Sequence, residues 1–308
     1  MAFSEAARVR PDWMKVRAPS RRGRFPELQQ IMRDGGLHTV CEEARCPNIG
    51  ECWGRGTATF QIMGDVCTRA CRYCAVTSGR PEGAPEPLEP LRVARAAEKM
   101  GLRHVVITSV DRDDLEDRGA GHFAATIRAI RRRSPECGVE VLVPDFLGFQ
   151  DGALRIVLKA APDVFNHNIE TIERFYRRIR PRGDYRKALN LLDDAKDVWA
   201  ELHPDRPPLV TKSGIIVGMG ETDDEIVGVM RDLRAHRVDV VTIGQYLQPT
   251  ARHLPLDRWV EPESFRRFRE EGEAMGFGTV FAGPLVRSSY RAEEQRLAAD
   301  GASRVRAY

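Results

Sequence analysis

The chain has 308 residues, room for one large domain or two ordinary ones at ~150 residues each, and 48 basic against 45 acidic side chains leave a net charge of +3. Hydrophobic residues make up 42% and charged residues 30%, an ordinary globular composition. The longest uncharged stretch, 274–286, contains Pro284 and is too short to cross a bilayer; membrane-spanning, collagen-like and wholly disordered readings are excluded.

The opening segment is basic, with Arg8, Arg10, Lys15, Arg17, Arg21, Arg22 and Arg24 against Glu5 and Asp12. It has no apolar stretch of signal-peptide length, and Pro11 and Pro19 deny it the clean amphipathic face of a transit peptide. It reads as an extended arm of a protein working in a reducing cytosol. Next come two groups of cysteines, and then a loop at 80–90 that carries four prolines. Strands are predicted at 58–63, 104–108, 139–143, 163–167, 213–218 and 238–243. Several are nearly continuous apolar runs, as strands buried on both faces of a parallel sheet require. Helices are predicted between them, among others at 91–99, 121–133, 185–202 and 223–236. The last opens on Thr222 as a cap, with Asp223, Asp224 and Glu225 at the positive end of the helix dipole. Six β-α units in series imply a parallel sheet, either open and doubly wound or rolled into a barrel. In both, ligands sit at the carboxyl ends of the strands.

A chain this long builds a core without staples, so seven cysteines ask for a reason, and six lie between Cys41 and Cys74. An odd count without a leader argues against a disulfide framework. Cys67, Cys71 and Cys74 form a C-x3-C-x2-C run directly after the first predicted strand. A structural zinc site takes four ligands, usually as two separated C-x2-C pairs. Three thiolates on one loop suit a four-iron cluster with one iron left open. Cys41, Cys46 and Cys52 form a second trio, C-x4-C-x5-C, again one ligand short. Cys137 belongs to neither and reads as a small packing residue. His167 and His253 read as hydrogen-bonded core or loop residues, not metal ligands.

The run from Cys67 to Cys74, with Tyr73 before its last cysteine, resembles the radical S-adenosylmethionine signature. Residues 38–53, together with the motifs at 108–120, 167–171, 211–222, 245–255 and 283–292, are similar to the lipoyl synthase family over nearly the whole chain from Pro11 to Ala292. This resemblance implies a partial (β/α)6 TIM-type barrel with extensions at both ends. It divides the chain into 1–57 with an auxiliary cluster loop, 58–277 as the barrel, and 278–308 with the motif Arg287-Ser288-Ser289-Tyr290. It implies two [4Fe-4S] clusters and S-adenosylmethionine as cofactors. Cys67, Cys71 and Cys74 would hold the catalytic cluster, whose open iron binds S-adenosylmethionine. Cys41, Cys46, Cys52 and a serine, Ser289 with Ser288 as the alternative, would hold the auxiliary one. Tyr73 would lie near the adenine. Asn168 and Glu170 would bind the ribose or methionine part, unless they cap the next helix. Gly218 would neighbour the adenosyl group, unless it serves only a tight turn.

The implied activity is insertion of two sulfur atoms at carbons 6 and 8 of a protein-bound octanoyl-lysine. The implied partners are octanoylated carriers, namely E2 subunits of 2-oxoacid dehydrogenases and the glycine-cleavage H protein. An electron donor such as flavodoxin or ferredoxin and an iron–sulfur carrier that rebuilds the auxiliary cluster are implied as well. Alternatives are another radical sulfur-inserting enzyme or a non-catalytic iron–sulfur redox sensor. The basic run Arg177, Arg178, Arg180, Arg182, Arg186 and Lys187 is either a solvated helix face or a docking site for an acidic carrier domain. Nucleic acid is not expected from a nearly neutral chain without a recognised motif, and no membrane association is expected.

Overall fold

The computed structural model describes residues 9–15, 24–43 and 46–299. Most of the basic arm therefore lies outside the described residues, as do Ala44 and Arg45 within the second cysteine loop. The chain begins with helix α1 (Arg24–Asp34), strand β1 (His38–Thr39), short helices α2 (Val40–Glu43) and α3 (Ile49–Gly54), and strand β2 (Thr57–Ile62). Two short strands, β3 (Val66–Cys67) and β4 (Thr77–Ser78), flank the first trio. Then come α4 (Glu89–Lys99), β5 (His104–Ser109), α5 (Ala120–Arg133), β6 (Gly138–Leu142), α6 (Gln150–Lys159) and β7 (Val164–Asn166). The second half runs α7 (Tyr176–Ile179), α8 (Tyr185–Leu202), β8 (Val210–Val217), α9 (Asp223–Ala235), β9 (Val240–Gln245), α10 (Pro262–Ala274), β10 (Thr279–Gly283) and α11 (Ala292–Ala299).

The main sheet has the order β1-β2-β5-β6-β7-β8-β9-β10. Only β1 is antiparallel, to β2; every other neighbouring pair is parallel. All six strands expected from the sequence are present in the expected order, and the fold is the partial parallel barrel. The differences are local and have physical causes. β2 stops at Ile62 because Met63 takes a left-handed φ of 67°. β8 starts at Val210, three residues before the predicted start, because polar Thr211, Lys212 and Ser213 are buried in the sheet. β10 adds a seventh parallel strand; the boundary expected at 277 precedes it, so the C-terminal segment contributes to the sheet.

α8 spans the predicted 185–202 and starts where the Asp184 side chain accepts the Lys187 N–H. α9 is entered through a capping box, in which Thr222 Oγ1 accepts the Glu225 N–H (3.2 Å) and the Glu225 carboxylate accepts the Thr222 N–H (2.9 Å). One side chain set of the strands, including Val105, Ile107, Val139, Val141, Phe165 and Ile243, packs under the helices. The alternate set faces inward and is largely polar. There Val164, Val210 and Val240, at the beginnings of their strands, form a separate small cluster joined by Ala299 of α11. That helix stoppers the amino-terminal end of the barrel and leaves the carboxyl ends of the strands for the site.

Candidate active site

Cys67 ends β3, and the loop that follows is held on both sides. The Thr68 N–H donates to the Asp111 carbonyl (3.0 Å), the Gly79 N–H to the Cys67 carbonyl (2.9 Å) and the Cys74 N–H to the Cys71 carbonyl (3.1 Å). The Arg69 and Asp111 N–H groups both point at Cys67 Sγ, at 3.4 and 3.3 Å. Those donors favour a thiolate. Burial pushes Cys67 up to about 11, with Asp111 and Cys74 adding to it. Cys71 goes to about 12 through burial, with Asp111 and Cys74 adding while Arg180 opposes. The bare loop therefore gathers mutually repelling sulfurs out of water, and a cationic metal core relieves both effects.

Sequence reasoning missed Arg69, between two of the cysteines. It is 4% exposed and bridges two strand-end loops. Its guanidinium donates to both Asp113 oxygens, one of them at 2.9 Å, and to Asp145 at 2.8 Å. These bidentate contacts lock the cysteine loop onto the turns after β5 and β6. The clue was the acid run Asp111-Arg112-Asp113-Asp114, whose partner no local spacing reveals. Asp111 itself is half-buried, and its desolvation pushes its carboxyl up against the pull of Arg69.

Opposite the loop, after β7, the chain places Asn168, Glu170 and Arg180 together, and Tyr73 of the loop faces Glu170 and Arg180. Asn168 Nδ2 donates to Glu170 Oε1 (3.1 Å), and Arg180 Nη1 donates to the Asn168 carbonyl (2.8 Å). Burial drives the Glu170 carboxyl up, with Arg180 pulling it down. Glu170 adopts a left-handed φ of 66° and bridges to β8, where Gly214 leaves room for Asn168. Neither side chain caps the following turn, which begins after Ile172 without a side-chain cap. Asn168 Oδ1 is buried with no hydrogen-bond partner among the described residues, a group available to a ligand. His167 is a satisfied core residue, as expected: it meets the Val143 carbonyl (2.8 Å) and Arg180 (3.3 Å), and burial pulls it down to about 4.

Gly218 follows β8 at a φ of +100°. A Cβ there would stand 2.3 Å from Gln245 Nε2 and 2.6 Å from the Arg258 carbonyl, so close packing within the protein by itself demands glycine. Its N–H is taken by the buried Glu221. His253 is a loop residue bonded to Thr250 (2.9 Å), and Cys137 is 3% exposed and packs in the core, both as expected.

The second trio is gathered by α2, its following turn and α3. Cys46 N–H bonds the Cys41 carbonyl (2.9 Å), and Cys52 N–H bonds that of Asn48 (2.9 Å). Cys41, Cys46, Cys52 and Ser289 line one cavity, with Thr57, Thr59 and Arg287 on its walls; Ser288 is not on the lining. The C-terminal segment is clasped there. Asn48 Nδ2 donates to the Leu285 carbonyl (2.6 Å), and Glu51 meets Tyr290 Oη (3.2 Å) and Arg291 (3.0 Å). Gly244 admits the approach, since a Cβ would lie 2.0 Å from the Val286 carbonyl. Burial and the neighbouring thiols Cys46 and Cys41 push Cys52 up to about 12, and burial and Cys41 raise Cys46 while Arg287 opposes. Among the described residues no group of three such donors converges on a point where one metal ion would sit. Three thiols on the wall of one cavity are the soft donors that an iron–sulfur cluster takes.

A profile of the radical SAM superfamily matches residues 62–233. The chain is 56% identical to a lipoyl synthase of Rubrobacter xylanophilus, over 93% of this chain and 86% of that one. It is 52% identical to a lipoyl synthase of Nitrosomonas eutropha, over 93% and 88%. In fold it is similar to the FeFe-hydrogenase maturase HydG of Carboxydothermus hydrogenoformans, with a TM-score of 0.57 at 14% identity over 89% of this chain and 60% of that one. It also resembles Streptococcus suis SuiB bound to S-adenosylmethionine, with a TM-score of 0.52 at 12% identity over 80% and 56%.

Proposed function

The chain belongs to the lipoyl synthase family of radical S-adenosylmethionine enzymes, and from that premise we propose a division of labour between its two cysteine trios. The enzyme inserts two sulfur atoms at carbons 6 and 8 of an octanoyl chain on a carrier lysine, forming the lipoyl group. Carbon–hydrogen bonds at those carbons are unactivated, and acid–base chemistry does not break them. When bound, the cofactors supply the missing reactivity: S-adenosylmethionine at one [4Fe-4S] cluster yields a primary alkyl radical, and an auxiliary [4Fe-4S] cluster yields sulfur.

Cys67, Cys71 and Cys74 hold the first cluster in this reading, because their loop lies at the strand ends, beside the polar pocket of Asn168, Glu170 and Arg180. The unpartnered Asn168 Oδ1 and the Glu170 carboxyl bind the ribose or methionine part, Tyr73 lies by the adenine, and Gly218 stands near the adenosyl group through its strand end. Cys41, Cys46, Cys52 and Ser289 hold the second cluster. The single observation that carries this is the shared cavity of those four side chains, which joins a segment before the barrel to one after it. A serine oxygen is a harder and poorer iron ligand than thiolate, which suits a site that gives up iron when its cluster is consumed. The units 1–57, 58–277 and 278–308 follow this division. Octanoylated E2 subunits and H protein are the carriers, with an iron–sulfur carrier restoring the auxiliary cluster. The proposed site of action is the cytoplasm; among the described residues no helix is long and apolar enough to cross a membrane.

Alanine at Cys67, Cys71 or Cys74 should abolish 5′-deoxyadenosine formation. Alanine at Cys41, Cys46 or Cys52 should preserve it while stopping sulfur transfer to an octanoyl-lysine peptide. If the two sets behaved alike, the division of labour would be wrong.

A further inference from the structure

The basic run after β7 does not form one surface. Arg180 turns inward to Asn168 and His167, Arg186 meets Glu173 at 3.3 Å and Arg182 reaches Asp113 at 3.4 Å. Arg177 and Arg178 remain exposed and have no carboxylate partner among the described residues; Arg178 stacks over Phe175 at 5.5 Å. The backbone then brings two further exposed arginines to the same place. The Arg72 N–H donates to the Ile179 carbonyl (2.9 Å), and the Leu254 N–H donates to the Arg72 carbonyl (2.9 Å), which sets Arg252 nearby. Arg72 and Arg252 likewise have no carboxylate partner among the described residues. These four cations, none matched by a carboxylate among the described residues and tied together through the backbone of Arg72, constitute a local positive field.

The position of that field is specific. Arg72 lies between Cys71 and Cys74, so the patch is the outer surface of the first cysteine loop. The second trio and its clasp are held by the segments around Asn48 and Leu285, on other elements. An acyl chain must end between the two trios, whereas a protein that delivers electrons must bring its redox group as near as the surface allows to the centre it reduces.

We propose that Arg72, Arg177, Arg178 and Arg252 form the docking surface for an acidic one-electron donor protein, seated over the Cys67–Cys71–Cys74 loop. This rests on the reading that the first trio holds the reducible centre. One electron leaves the donor's reduced cofactor, which is thereby oxidised by one unit, and the centre held by the three cysteines takes it up and is reduced by one unit. No covalent bond forms or breaks in the transfer. Complementary charge steers the encounter and fixes its register.

The test uses the chain carrying both clusters and a strongly acidic flavodoxin as probe. Binding is measured by fluorescence anisotropy for the parent, R177E/R178E and R252E, at low and at ~0.15 M ionic strength, where screening acts within about 8 Å. The double variant should bind about tenfold more weakly or worse, R252E less severely, and the parent should weaken with salt. Flavodoxin-driven cleavage of S-adenosylmethionine should fall in parallel, while cleavage driven by dithionite should not change. Unaltered flavodoxin binding in both variants would overturn the proposal. So would weakened binding of an octanoylated carrier domain with flavodoxin binding intact, because the surface would then belong to the carrier. Failure of the parent to cleave S-adenosylmethionine with dithionite would instead count against the role given to the first trio, and the binding measurement would still decide the docking surface.

Discussion

Lys212 and Glu140 stand inside the barrel, each 1% exposed, with Nζ 2.8 Å from Oε1. Asn166 Nδ2 donates to the same oxygen (3.0 Å), and His104 Nε2 lies 3.6 Å from the other. Burial pushes the Glu140 carboxyl up, but the Lys212 ammonium and His104 outweigh it and the net direction is down. Replacing Lys212 with Met keeps the volume and removes the counter-charge, leaving a carboxylate buried without its ammonium partner. Breaking a buried pair in this way costs about 3–5 kcal/mol, which for a chain of this size is a fall in Tm of roughly 5–8 °C. The pH dependence gives a second, sharper signature. In the parent, a depressed Glu140 contributes stability that is present above the usual carboxylate range and is lost as pH falls through its folded value. In K212M burial is opposed only by the weaker neighbours, the carboxyl is raised, and the variant gains stability as pH falls toward the ordinary carboxylate value. The deficit should therefore shrink from pH 8 to pH 5 in thermal melts, and E140Q/K212M should recover most of it. A loss below about 1 kcal/mol, or one independent of pH, would refute this account of the barrel interior.

Three further outcomes are expected. Iron and sulfide analysis after anaerobic reconstitution should show S289A depleted at the second centre and S288A equal to the parent, because only Ser289 lines the cavity with the three cysteines. R69K cannot engage Asp113 and Asp145 at once; with charged hydrogen bonds at about 1.5–3 kcal/mol each, it should load the first centre poorly, and iron content with SAM cleavage would read this while the second centre still fills. G218A forces a side chain into a left-handed backbone against Gln245 and Arg258, at ~1–3 kcal/mol, and a melt within 1 °C of the parent would contradict it.

Local chemistry was legible. Continuous apolar runs marked six buried strands because a parallel sheet covered on both faces leaves no polar side to alternate. Thr222 and Glu225 marked the start of α9 because a capping box lies within four consecutive residues. β10 was missed: its apolar run, Val280, Phe281 and Ala282, is only three residues long between Thr279 and Gly283, too short to mark a strand by periodicity.

Cysteine spacing by itself marked two trios, each one thiolate short of a four-ligand set, because ligands on one short loop are constrained by chain geometry alone. Which side chains stand beside each trio was decided by tertiary structure. Ser289 reaches Cys41, Cys46 and Cys52 only because the C-terminal segment, admitted by Gly244 and held by Asn48, crosses back to the first strand of the barrel. Arg69 finds Asp113 and Asp145, and Lys212 finds Glu140, across separations that no local pattern encodes. The basic run changed most. Adjacent in sequence, its arginines divide between pocket, ion pairs and open surface, because a turn sends neighbouring side chains in different directions while hydrogen bonds bring Arg72 and Arg252 to the same place.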